Sequence, residues 1–119
     1  MKIRALLFFL IIFSVKAEQL TFDNASPIRQ GVHVEWYRTV VPSLDGSAIF
    51  VWSDTRFGMR NVFAHKIDKN GNILWGETGT VVTNLPGRQE DPVAIEDGDG
   101  GAFIAWVDYR FDDAGDVFI

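Results

Sequence analysis

The 119-residue chain has no cysteine, which excludes disulfides, thiol chemistry and a lipid anchor through a lipobox thiol. Acidic residues outnumber Lys and Arg by 16 to 11. A chain this acidic is a poor nucleic-acid binder, because phosphate binding needs clustered Lys and Arg, so no nucleic acid is expected as a partner. The aromatic content, with four Trp and ten Phe, is enough to build a core without disulfides if the chain buries it.

In chain order, the first element is a leader. Lys2 and Arg4 precede an apolar run from Ala5 to Val15, and Val15 and Ala17 place small residues where a signal peptidase cuts. Residues 1–17 therefore read as a secretory signal peptide, too short to span a bilayer, and no stable membrane span is expected after its removal. Loss of Lys2, Arg4 and Lys16 with the leader leaves 8 basic against 16 acidic residues, a net charge of −8. The expected location is outside the cytoplasm: extracellular, at a bacterial cell surface, or periplasmic.

Residues 18–30 form a polar lead-in segment, with Asn24, Ser26 and Pro27 breaking any periodicity. Strands are predicted over 32–41, 48–54, 61–67 and 73–75, and again over 92–96, 102–108 and from 117. Between them lie turns at 42–46, 55–60, 68–72, 76–80 and 97–101 and a polar loop over 85–91. Asn70-Gly71, after Asp68 and between two apolar segments, predicts a tight type I′ hairpin turn. Asp99 and Gly100 mark the corresponding turn further on. No helical periodicity is found after the leader.

The segment Asp45-Gly46-Ser47-Ala48-Ile49-Phe50-Val51-Trp52-Ser53-Asp54-Thr55-Arg56-Phe57 returns 54 positions later as Asp99-Gly100-Gly101-Ala102-Phe103-Ile104-Ala105-Trp106-Val107-Asp108-Tyr109-Arg110-Phe111. Internal similarity at that spacing points to stacked structural units. The returning strand is apolar on both faces, as in a strand sandwiched between sheets. Four strand candidates fall in one unit. The reading is an all-β chain of antiparallel, four-stranded β-propeller-like blades, about one and a half repeats long: residues 31–84 the first unit, 85–119 a second, truncated one. A propeller needs about four blades, so the chain reads as a fragment whose partners include the remaining blades of a longer chain. The alternative fold is a β-sandwich, against which two-sided burial argues.

Two motifs carry a resemblance: Gly-x-x-x-x-x-Trp-x-Asp-x-Arg (Gly46, Trp52, Asp54, Arg56; Gly100, Trp106, Asp108, Arg110) and Asp-x-Asn-Gly-x-x-x-Trp (Asp68, Asn70, Gly71, Trp75). With them the chain resembles the propeller-like repeats of large secreted bacterial proteins, many of which end in an adhesion-type module or a type IX secretion sorting domain. The resemblance implies a noncatalytic extracellular propeller.

Trp52, Asp54 and Arg56, and likewise Trp106, Asp108 and Arg110, fall on one strand face at alternate positions. A ring of such groups at a mouth could bind a glycan or an anion. The favoured reading is structural, because a catalytic site needs an asymmetric set and this one recurs unchanged. Asp97 and Asp99 are weak calcium candidates, since alternating oxygen ligands and Gly suit that ion; position 6 of each such loop lacks the required Gly, and a plain turn is favoured. Calcium is the one cofactor considered. Trp36, Tyr37 and Tyr109 are candidates for stacking on a sugar, though aromatics more often fill cores. His33 and His65 do not make a zinc motif. No Gly-x-Ser-x-Gly elbow is present, and the sialidase-type Asp-box fails at its Asp–Gly spacing. The functional expectation is a noncatalytic extracellular module for protein or glycan interaction or scaffolding. The alternatives are a scaffold part of a secreted glycosidase-like hydrolase and a calcium-stabilised adhesion module.

Overall fold

The computed structural model describes residues 35–119, with side chains from residue 38 onward. The leader, the lead-in segment and the start of the first expected strand lie outside them. Seven strands are present among the described residues: β1 (Glu35–Pro42), β2 (Ala48–Phe57), β3 (Met59–Ile67), β4 (Thr80–Val81), β5 (Gln89–Glu96), β6 (Ala102–Asp108) and β7 (Asp116–Phe118). They form two antiparallel sheets, one in the order β1-β2-β3-β4 and one in the order β5-β6-β7. No helix among the described residues is long and apolar enough to cross a membrane.

The sheets are built by alternation. On β2, Ile49 and Val51 point to one side, and on the neighbouring strands Val41, Val62 and Ala64 join them in register. These five residues are buried, and Ala94, Ala102, Ile104 and Trp106 of the second sheet pack against them. This is the core, a single apolar layer between two sheets.

Such an arrangement is a small β-sandwich. The propeller expectation is overturned: neither sheet closes or curls about an axis. The type IX secretion association, which rested on the propeller resemblance, falls with it. The misleading signal was the two-faced apolar character of the returning strand. In β2 both faces are indeed buried, with Trp52 on the side opposite Ile49 and Val51. That second face, however, meets the chain's own loop, for Gly79 comes so near Trp52 that a Cβ there would lie 2.6 Å from the indole Cη2. In β6 the two faces part company, and Phe103 is exposed.

Boundaries also shift. β2 and β3 run on through the expected 55–60 connection and are joined across Gly58, whose amide bonds the Thr55 carbonyl at 2.8 Å. The expected strand at 73–75 is reduced to a single bridge, Ile67 to Ile73, and the fourth strand is β4 instead. β5 begins within the expected polar loop, because Gln89 and Glu90 are drawn into pairing with Asp108 and Val107.

The Asn70-Gly71 turn is not of type I′, since Gly71 has a φ of +86° while Asn70 is not among the residues with positive φ. The Gly71 amide donates to the Asp68 carbonyl at 3.0 Å and the Asp68 amide to the Asn72 carbonyl at 3.0 Å. That is a type I turn followed by a left-handed glycine, the form typical of three-residue hairpin loops. The Ser43–Ser47 turn closes in the same way, with Gly46 in the place of Gly71.

Candidate functional site

The two Trp-Asp-Arg segments fold into two similar clusters. Asp54 is completely buried. Its carboxylate accepts from the Trp52 indole at 2.9 Å, from the Arg56 backbone amide at 3.0 Å and from the Arg56 guanidinium through Nε at 3.0 Å. Arg56 Nη1 also donates to the Thr78 carbonyl at 2.7 Å, tying the 76–79 loop down over Trp52. The guanidinium lies 3.8 Å from the Phe63 ring centroid, and Trp52 stacks on Phe63 at 6.1 Å. Burial alone would push the Asp54 carboxyl up. The Arg56 side chain, the Arg56 amide and the Trp52 indole outweigh it and hold the group below the ordinary carboxylate range.

The second cluster copies the first with looser geometry. Asp108, also buried, accepts from the Arg110 amide at 3.0 Å and from the Trp106 indole at 3.4 Å, with Arg110 Nε 3.3 Å away. Arg110 sits over Phe118 at 4.3 Å, and Trp106 stacks on Phe118 at 6.3 Å. Here Trp106 faces the first sheet and belongs to the core.

Between the sheets, near the Asp ends of β2 and β6, runs a polar seam. Asn61 donates to Gln89 Oε1 at 2.8 Å, and Gln89 reaches Asp108 at 3.5 Å. Arg60 pairs with Glu90, which Arg88 also approaches at 3.5 Å. At the opposite end Glu96 accepts from the Ser43 hydroxyl at 3.1 Å and the Leu44 amide at 2.9 Å. Lys66 there donates to Asp45 at 2.8 Å and to the Gly100 carbonyl at 2.6 Å. The Lys66 ammonium and the Ser47 hydroxyl and amide hold the Asp45 carboxyl far below its usual range. Sequence reasoning missed this seam. Its available signals were Lys66 and Glu96, charges on the inward side of otherwise apolar strands.

In each cluster the carboxylate accepts from the Trp and Arg of its own segment and the guanidinium lies on a Phe ring of the next strand. Asp108 also accepts from Gln89, and Arg110 Nε, though close to Asp108, makes no hydrogen bond. The arrangement locks strand ends. The turn residues behave alike. Asp97 Oδ1 accepts from the amides of Asp99 at 2.8 Å and Gly101 at 2.9 Å. Asp68 accepts from the Asn70 and Asn72 amides at 2.8 Å each. The Asn72 side-chain amide, with the Asn72 and Asn70 backbone amides, lowers the Asp68 carboxyl, and the Asp99 and Gly101 amides lower that of Asp97; the backbone bonds are what an Asx turn requires. Among the described residues no group of three or more His, Asp or Glu is placed to hold a metal ion.

Of the stacking candidates, Tyr109 has the Arg88 guanidinium 4.1 Å over its ring, so one face is taken. The side chains of Trp36 and Tyr37 lie outside the described ones. An open cleft of about 320 Å³ lies between β1 and β5, lined by Arg38, Thr39, Asp91, Pro92 and Val93. It forms where both strands slip register, between Trp36 and Thr39 and between Glu90 and Val93. Asp91 there takes a φ of 50°.

His65 is buried beside Trp52, ring centroids 6.0 Å apart, and neither ring nitrogen has a hydrogen-bond partner. Burial lowers its pKa, and Arg56 adds to the effect, against an opposing influence of the Glu77 backbone. The folded ring is therefore neutral where the unfolded chain already takes up a proton, near pH ~6.5. Stability is present above that value and is lost as pH falls through the lower folded value. The urea midpoint is expected to drop between pH 7.5 and 5.5, and the His65→Leu variant to show a flatter dependence over that range.

Gly79 gives a second local test. Its φ is +87°, and besides the Trp52 clash a Cβ would lie 3.1 Å from the Ala64 carbonyl. Gly79→Ala is expected to cost about 2 kcal/mol in equilibrium unfolding, from combined strain and overpacking.

Comparison of the chain with protein-family models, curated proteins and solved structures gave no match.

Proposed function

We propose that this small all-β domain is a noncatalytic interaction and scaffolding module that binds a protein partner through the outer face of its second sheet. The leader supports export, so the partner would be met outside the cytoplasm. One observation carries the reading: Val93, Ile95, Phe103 and Val117 stand exposed side by side on that face. Contiguous exposed apolar surface on a soluble protein marks a place of contact. The first Trp-Asp-Arg cluster, by contrast, uses its carboxylate and guanidinium on its own neighbours, which weighs against a glycan or anion site there.

The test separates a binding face from a misplaced core. A fluorescent apolar dye is expected to bind the folded chain. Phe103→Lys should abolish that binding while shifting the melting temperature by no more than about 3 °C, as for an exposed substitution in a small domain. A fall of 10 °C or more would show that the face belongs to the chain's own core, and the reading would be wrong.

A further inference from the structure

The exposed face has a counterpart within the same molecule. In register, Val41 and Ile49 of the first sheet correspond to Ile95 and Phe103 of the second, each 54 positions on. Val51 corresponds to Ala105 in the same way, and Val62 to Val117 after the one-residue insertion. The pairings agree: Val41 lies opposite Ile49 as Ile95 lies opposite Phe103, and Ser53 opposite Val62 as Val107 opposite Val117. The exposures do not. Val41, Ile49 and Val62 are 6%, 0% and 0% exposed, whereas Ile95, Phe103 and Val117 are 67%, 55% and 78% exposed. What covers the first set is the inner face of the second sheet, with Ala102, Ile104 and Trp106 at alternate positions of β6.

We infer that the outer face of the second sheet is a docking surface for another antiparallel sheet of that same chemistry. The occupant is a strand with a small aliphatic, a branched aliphatic and a Trp at alternate positions, ending in the Asp-x-Arg lock. The inference rests on the interaction reading above and names its partner. Its polar complement follows from the seam. Asn61, which donates to Gln89, corresponds to Asp116. A carboxylate only accepts, so the docking sheet carries an amide or cationic donor where β5 carries Gln89. The corresponding face of a second copy, the Trp52 side of its first sheet, already lies under the 76–79 loop, and this disfavours simple self-association.

The chain's lack of cysteine makes a clean test possible. A single thiol is placed by Phe103→Cys in the full chain and in a tandem chain whose residues 85–119 are repeated once after Ile119. In the full chain the thiol is expected to react with a maleimide at the rate of an exposed site. In the tandem chain the reaction should slow at least tenfold, while a Val40→Cys control on the first sheet keeps its rate. Three results would overturn the inference: equal rates at position 103 in both chains, an appended segment that stays unfolded by amide exchange, or protection in the full chain that grows with its concentration. The last would assign the face to a second copy. Dye binding that persists after any of these failures would leave the face a contact surface with a different partner.

Discussion

Asp54→Ala is expected to be among the most destabilising single changes in the described chain, at about 3–5 kcal/mol, the usual cost of removing one partner from a buried ion pair. The carboxylate accepts from the Trp52 indole and from the Arg56 amide, Nε and Nη2, and these donors cannot turn to water without unpacking Phe63 or lifting the 76–79 loop. The loss arises less from the vanished bonds than from the buried Arg56 cation and indole N–H left behind. Urea unfolding followed by tryptophan fluorescence checks it. Asp108→Ala serves as the internal comparison. Its indole contact is longer and Arg110 is more exposed than Arg56, so the loss there should be smaller by 1 kcal/mol or more. Equal losses at the two sites would mean that the tighter geometry of the first cluster contributes nothing.

Trp52→Ala is expected to cost about 3–5 kcal/mol by a different route, cavity formation. The ring is 5% exposed and touches Phe63, His65 and Gly79. Its removal opens a void that the loop cannot fill, because Arg56 still holds Thr78. A loss below 1 kcal/mol would require the indole to be solvent-facing. Since Trp52 donates to Asp54, the two changes share a network, and the double variant should fall short of their sum. A strictly additive pair would contradict the hydrogen bond between them.

Much of the architecture is legible in the residues. Strand β6 is bounded in sequence as in the structure, because Gly101 and Asp108 frame an uninterrupted apolar run. The Trp-Asp-Arg grouping is legible as well, since alternate positions on a strand must share a face. Sheet-level organisation is less so. Two-faced apolarity in β2 is satisfied by a loop bearing Gly76 and Gly79, and loop cover leaves no period in the sequence. Gln89 and Glu90 look like loop residues until Asn61 and Arg60 supply their partners from 28 and 30 positions away. The Asn-Gly pair specifies a left-handed glycine but not which turn precedes it. The preceding Asp68 decides that, by drawing the Asn70 and Asn72 amides onto its carboxylate.

The order of strands within each sheet has a consequence for how the chain reaches its native state. Among the described residues every sheet partner is also the next strand in sequence. Each pairing thus closes a short loop, and the entropy lost in closing it is small. Topologies made of such local contacts fold fast for all-β proteins, and their hairpins form without waiting for distant segments. Only the docking of the second sheet on the first brings together residues far apart in the chain. That step brings Trp106, Ile104 and the polar seam onto the first sheet, so the joining of the two meanders, rather than the formation of either, is the step expected to limit folding, and substitutions at Ile104 are expected to slow refolding more than substitutions within the 68–72 turn.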